Sequence, residues 1–323
     1  MRKSLALILS AGLLATLSAC APSASTPTAI DGCNPLASSG PSSSLITATG
    51  DLASATTKVS FGTPLVAPAP QRSVLIQGSG MPAEVNDVVL GTAVIAEGAT
   101  GNVVQQGNFL LTLNQEKTSP GLLAALVCAQ AGDRIALASP TSALSTTAPD
   151  PTAAPQTGVI LFDVTNVMPG RATGGDQPAQ AGFPSVVTTS IGQPGLTIPS
   201  GTVPTELSYT ALKKGTGPVV ASGDTLTVQS LGVVYSSKAV FESTWKDGAA
   251  KQLLVADGTT TQGGVVPGLA AALVGQTVGS QILAVIPPEQ GFGAQGNGST
   301  VPAGATLVYV IDILGITNPT PAN

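Results

Sequence analysis

The sequence predicts an α+β protein of two domains, each an antiparallel sheet wrapped on one short helix. Three observations predict it. First, one segment occurs twice, as SPGLLAALVCAQAGDRIALASP at 119–140 and VPGLAAALVGQTVGSQILAVIP at 266–287, at an offset of 147 residues without a gap. Copies so far apart indicate a duplicated domain, because solenoid repeats recur every ~20–50 residues. Second, alternating, β-branched stretches dominate both halves. Third, the repeat carries the one helical signature: Leu269, Ala272 and Leu273 stand at i, i+3 and i+4, closed by Gly275. A sheet on one short helix is the economical way to bury such a pattern.

The elements follow in chain order. Arg2 and Lys3 precede an apolar run, Leu5 to Leu17, too short for a stable membrane span. The run ends Leu17-Ser18-Ala19-Cys20, which resembles the bacterial lipobox. Residues 1–19 are therefore expected to be a lipoprotein signal peptide, with Cys20 lipidated and the chain anchored on the outer face of the cytoplasmic membrane. The alternative is an ordinary secretory signal followed by an unrelated cysteine. Residues 20–44, rich in Ser, Pro and Ala, read as a flexible tether. Domain one spans 45–168, a breaker-rich linker 169–182, domain two 183–316 and a tail 317–323.

Each domain opens with an extended, Pro-interrupted stretch: TKVSFGTPLVAPAP in domain one and FPSVVTTSIGQPGLTIPSGTVP in domain two. In domain two, strands are expected at 207–217, 224–235, 238–245, 251–255, 280–287 and 305–316, the last two being the most β-branched. The short helix is expected over 266–274, ending before Gly275.

Composition excludes several chemistries. The chain has no histidine, which removes His-dependent triads, His-ligated metals and imidazole acid–base catalysis. A net charge of −5 argues against nucleic-acid binding. Cys33 and Cys128 remain beyond Cys20. In an oxidising compartment they can pair and pin the N-terminal segment onto domain one, or stay as two isolated thiols. The second copy has Gly275 in place of Cys128, so the fold itself does not demand a cysteine there.

Motif order gives a resemblance. The segments GDTLTVQSLG (223–232), AVFEST (239–244), VVPGLAAAL (265–273), VGSQILAVIPPEQGFG (278–293) and VPAGATLVYVIDIL (301–314) resemble, in order, the FKBP-type peptidyl-prolyl cis-trans isomerases over residues 205–316. Domain one is similar through 119–140 and GVILFDVTNV (158–167), as a degenerate copy. The resemblance implies a pocket for X-Pro segments of polypeptides, formed by Phe241, Glu242, Val265, Val266, Leu269, Phe292, Val301 and Tyr309, with Leu253 or Leu254 near another wall position. It implies no cofactor and no metal. A monomeric folding helper for exported proteins is the expected role.

The family pattern is not kept throughout. Its usual strand tyrosine is Ser230 here, its pocket-floor tryptophan is Leu269, and its flap tyrosine is Phe292, which keeps a ring but loses a hydroxyl. A less aromatic pocket should hold proline, and macrolide inhibitors, more weakly. Trp245, just past AVFEST, is either a compensating wall or a half-buried surface aromatic. Two functions are therefore carried forward: an active isomerase, and a binding module that has lost catalysis. Domain one, without the F-E/D-S/T motif or the G-F-G flap, is expected not to isomerise proline, and to serve as spacer, partner surface or scaffold.

Overall fold

The computed structural model describes residues 32–147 and 154–318. The expected signal peptide, the lipid site Cys20 and the first part of the tether lie outside the described residues, as does most of the tail. Among the described residues no helix is long and apolar enough to cross a membrane.

Domain one contains strands β1 (Gln71–Ile76), β2 (Val88–Glu97), β3 (Val103–Thr112), helix α1 (Pro120–Leu126), β4 (Arg134–Pro140) and β5 (Thr157–Met168). They form one antiparallel sheet in the order β1-β4-β5-β2-β3. Domain two contains β6 (Ser208–Lys214), β7 (Thr225–Val234), β8 (Val240–Ser243), a one-turn helix α2 (Thr244–Asp247), β9 (Lys251–Asp257), β10 (Gly264–Val265), helix α3 (Pro267–Leu273), β11 (Gln281–Ile286) and β12 (Leu307–Asn318). Its sheet contains the run β6-β11-β12-β7-β9-β10, the same order as domain one with β10 added beside β9. On that edge of β7, β9 pairs with Thr225–Val228 and β8 with Leu231–Val233.

The helices form for local reasons. Pro120 and Pro267 each occupy the first turn, where a missing N–H costs nothing. Two residues past each helix end the chain must turn left-handed: Cys128 has φ +66° and Gly275 φ +82°. Glycine adopts this freely and cysteine does not. Domain one holds Cys128 there by a disulfide to Cys33, with Cα atoms 5.6 Å apart, and by its N–H donating to Ala83 O at 2.7 Å.

The strands are apolar on both sides because both sheet faces are covered. In domain two Leu307, Tyr309, Ile311 and Ile313 of β12 face α3, with Leu269 and Leu273. The alternate residues Val308 and Val310 join Leu231, Val233 and Leu283 under Phe183, Val186, Leu196 and Ile198 from the extended N-terminal stretch. Domain one repeats this: Ile135 and Phe162 face α1, whereas Ala136, Val159 and Leu161 lie under Ile46, Leu65 and Phe61. The Pro-rich openings of both domains are thus outer-face covers.

Several expected boundaries need correction. The tether does not run free to residue 44: Ser43 Oγ bonds Ser73 Oγ at 2.8 Å and Ser42 N–H donates to Gln71 Oε1 at 2.8 Å. Serines suit a tether by composition, yet here their hydroxyls satisfy the β1 edge. Residues 169–182 are not a plain linker, since Gly175–Asp176 pair with Lys213–Lys214 and add a strand beyond β6. The expected strand 238–245 breaks at Ser243, whose hydroxyl caps α2 by accepting Lys246 N–H.

The two sheets touch. Val88, Met168, Ala250 and Leu314 form a shared apolar cluster with Leu90 and Leu110, and Ala250 N–H donates to Thr112 Oγ1 at 2.8 Å. Ala250 leads straight into Lys251 at the start of β9.

Each domain buries an aspartate on its last strand, and the copies treat it differently. In domain one Asp163 pairs with Arg134, Nε to Oδ1 at 2.6 Å. In domain two the corresponding Asp312 accepts Gln281 Nε2–H at 2.7 Å and Ala172 N–H at 2.8 Å, with no ion pair. Burial raises its pKa to about 6, against smaller lowering by those hydrogen bonds and by the charges of Lys213 and Arg171. An unfolded aspartate titrates near 3.9. Between those values the folded chain holds a proton that the unfolded chain releases, so this group lowers stability as pH rises through that window. The cost, roughly 3 kcal/mol by this shift, is fully present above the folded pKa. Urea unfolding of the unchanged chain and of Asp312→Asn is therefore expected to show the variant more stable at pH 7, with the difference shrinking toward pH 4. A pH-independent difference would contradict it.

Candidate functional site

The site lies where β8, β9, β10, the start of α3, the flap after β11, and β12 converge. Tyr309 stands on β12 opposite Gly232 of β7 and Ala284 of β11, on the helix-facing side. Phe241 of β8 crosses Gly232, where a Cβ would lie 2.5 Å from the Phe241 Cζ atom. Glycine is needed there for the close approach of the ring. The Phe241 ring then meets Tyr309 edge-on at 5.5 Å and Phe292 edge-on at 6.4 Å, both at 87°. Such T-shaped contacts fix ring orientation as well as burying area.

These aromatics bound a cavity of about 380 Å³, lined by Val265, Val266, Pro267, Leu269, Phe292 and Tyr309, with Glu242, Lys251 and Thr259 at its polar side. Of the residues expected from the sequence, Glu242, Val265, Val266, Leu269, Phe292 and Tyr309 line the cavity, and Phe241 backs it through its two ring contacts. Val301 and Leu253 do not line it; both are buried in the core around α3. Trp245 is not a substitute wall. It follows β8 in α2 and packs on the opposite face of the sheet with Leu231, Val233 and Val308.

Lys251 was missed by sequence reasoning. Its ammonium pairs with Glu242 Oε1 at 2.5 Å. β9 starts at Lys251 and pairs it with Val228, while β8 sets Glu242 against Gly232, so two short strands on one edge bring the charges together. Nothing in the spacing of residues 242 and 251 signals this; it depends on the bulged edge of β7. Ser230, where the family has its strand tyrosine, also has a use: its hydroxyl donates to Glu242 Oε1. Ser230 N–H in turn donates to Thr244 Oγ1 at 2.8 Å, which locks the β7–β8 corner. Glu242 is thus held by one cation and one hydroxyl, and its charge stays at the rim.

Tyr309 is 4% exposed. Burial, and to a lesser degree the Glu242 charge, push its phenol pKa far up, so the hydroxyl stays protonated. Among the described residues no group of three or more His, Cys, Asp or Glu side chains could hold a metal ion. The arrangement offers a largely apolar slot with a polar rim, suited to a small apolar ring.

Domain one lacks this geometry. Ile160 occupies the place of Tyr309, and Leu122 that of Leu269. Its pair Phe109 and Phe162 stack edge-on at 5.4 Å within the core. The turn Thr141–Leu144 lays Leu144 over Gly121 and Gly158.

The fold and this slot define an α+β domain with an aromatic-walled, largely apolar pocket. Residues 217–314 match the FKBP-type peptidyl-prolyl cis-trans isomerase family. An FK506-binding protein of Streptomyces anulatus is 29% identical over 128 residues, covering 39% of this chain and 99% of that protein. FK506-binding protein 2 of Aspergillus oryzae is 31% identical over 94 residues, covering 29% of this chain and 66% of that protein. The FKBP-type 22 kDa peptidyl-prolyl cis-trans isomerase of Escherichia coli is 30% identical over 110 residues, covering 34% of this chain and 50% of that protein. Domain two is thus similar to the FKBP-type peptidyl-prolyl cis-trans isomerase family over residues 217–314.

Proposed function

We propose that the chain is an extracytoplasmic, lipid-anchored peptidyl-prolyl cis-trans isomerase that assists folding of exported proteins, acting through domain two on X-Pro segments. The observation that carries this reading is the set of three rings, Phe241 standing edge-on to both Phe292 and Tyr309, at an apolar cavity in the segment that matches the family. Rotation about an X-Pro bond is opposed by amide resonance, with a barrier of ~18–20 kcal/mol. The twisted amide has lost conjugation and is less polar than the planar one. A water-poor slot walled by Val265, Val266, Leu269 and Phe292 therefore favours the twisted form over the planar form. No nucleophile and no cofactor enters this chemistry.

Domain one serves as a scaffold in this reading. Thr112 and the apolar cluster of Val88, Leu110 and Met168 brace Ala250, the residue before Lys251. As a degenerate copy whose helix face is closed by Leu144, domain one itself does not isomerise proline. The anchor rests on the lipobox-like Leu17-Ser18-Ala19-Cys20 and is tested by mass spectrometry of the membrane fraction for a lipidated Cys20. The protein acts as a monomer.

The second reading, a binding module without catalysis, is favoured by one observation: Leu269 and Phe292 offer fewer rings and hydroxyls to the slot than the family pattern has. NMR exchange spectroscopy on a short X-Pro peptide series with the full chain separates the two. Faster cis/trans exchange is expected. Peptide line broadening without faster exchange would leave the binding module.

A further inference from the structure

We infer that the Tyr309 hydroxyl is the hydrogen-bond donor of the pocket, acting on the prolyl nitrogen of a bound X-Pro segment as its amide conjugation is lost. This rests on domain two being an isomerase. The other polar side chains at the cavity each have a protein partner. Glu242 and Lys251 hold each other, and Ser230 spends its hydroxyl on Glu242. Thr259 Oγ1 donates to Asp257 Oδ1 at 2.7 Å. The rest of the lining, Val265, Val266, Pro267, Leu269 and Phe292, has no side-chain donor.

Tyr309 differs from all of these. It lines the cavity, it is 96% removed from solvent by its 4% exposure, and its hydroxyl has no hydrogen-bond partner among the described residues. A hydroxyl with no protein partner at the wall of a cavity is free to donate to a bound ligand. Its ring is fixed edge-on against Phe241 and by the β12 register opposite Gly232, so the donor is pre-oriented. Burial keeps the phenol protonated, hence a donor, throughout the physiological pH range.

The electron distribution decides which substrate atom gains. In the planar amide the nitrogen lone pair is delocalised onto the carbonyl oxygen. As the bond twists, the lone pair returns to nitrogen and the oxygen loses negative charge. A donor on the nitrogen therefore strengthens in the transition state, whereas a donor on the rotating carbonyl oxygen weakens and would slow the reaction. No bond is made or broken to the protein, and no proton is transferred.

The test is Tyr309→Phe in the full chain, which removes one oxygen and keeps the ring. Exchange spectroscopy should show kcat/KM down by roughly 5- to 30-fold, carried by kcat with KM little changed, as for one hydrogen bond made in the transition state. Thermal unfolding should show Tm little changed, because the ring is kept and no protein hydrogen bond to the hydroxyl is lost. Three results overturn the inference while leaving the isomerase reading intact: an unchanged kcat/KM, a change confined to KM, or a lowered Tm that accounts for the lost activity. Failure of the unmodified chain to accelerate exchange is distinct from all three and overturns both.

Discussion

Phe241→Ala is expected to abolish most of the isomerase activity of the chain while leaving it folded. The ring touches Tyr309 and Phe292 at right angles and closes the slot between them. Removing it opens that wall to water and frees both remaining rings. Burying an aromatic side chain is worth about 1.5–3 kcal/mol, so losing that contact with a prolyl ring should lower kcat/KM by roughly 10- to 100-fold. Truncation of a fully buried Phe costs about 3–5 kcal/mol of stability. Phe241 is only partly buried and packs against the edge of the core, so its stability cost should fall below that range. Exchange spectroscopy and urea unfolding on the same sample decide the matter. A cost of stability in the full range with activity retained would make Phe241 a core residue and remove the aromatic slot as the site.

Arg134→Ala is expected to destabilise domain one by about 3–5 kcal/mol, the usual penalty for breaking a buried ion pair from one side. Its guanidinium donates to both Asp163 oxygens, at 2.6 and 2.7 Å, and to the Gly50 and Asp51 carbonyls at 2.8 and 3.0 Å. The alanine variant leaves Asp163 buried with only Ala53 N–H to stabilise its charge. Arg134→Gln should cost less, because domain two already runs the same architecture with Gln281 bonded to Asp312. Denaturant unfolding checks the ranking. A smaller loss for Arg134→Ala than for Arg134→Gln would show that desolvation of the arginine, not the stranded aspartate, dominates.

The comparison of Arg134 with Gln281 also shows how much was legible in advance. The 147-residue offset in the sequence aligns the two positions, and it aligns Cys128 with Gly275. It could not show that residues 128 and 275 both need a left-handed backbone, or that the disulfide to Cys33 holds the less suited residue there. Strand alternation marked β7, β11 and β12, because β-branched runs flanked by breakers have few other readings. It missed the capped turn at Thr244–Asp247, where one serine hydroxyl ends a strand that the alternation would have continued. The apolar and aromatic pocket residues were legible through motif order. Lys251 was not, since its partner Glu242 reaches it across two short strands on one sheet edge. Of the two readings of Trp245, the half-buried aromatic holds rather than the compensating wall, because β8 gives way to a helical turn that carries the side chain to the other face.

By itself, then, the sequence determined the duplication, the α+β character, the position of the one amphipathic helix in each copy and the absence of imidazole chemistry. These follow from local periodicity and composition, which act on neighbours in the chain. The tertiary structure alone decided that the Pro-rich openings cover the outer sheet faces, that residues 172–177 belong to the sheet of domain two, and that Ala250 rests on Thr112. It alone decided that Tyr309 lines the cavity, with no hydrogen-bond partner for its hydroxyl among the described residues. Each of these is a contact between residues far apart in the chain, set by register, bulges and close packing, and such contacts leave no periodic trace in the sequence.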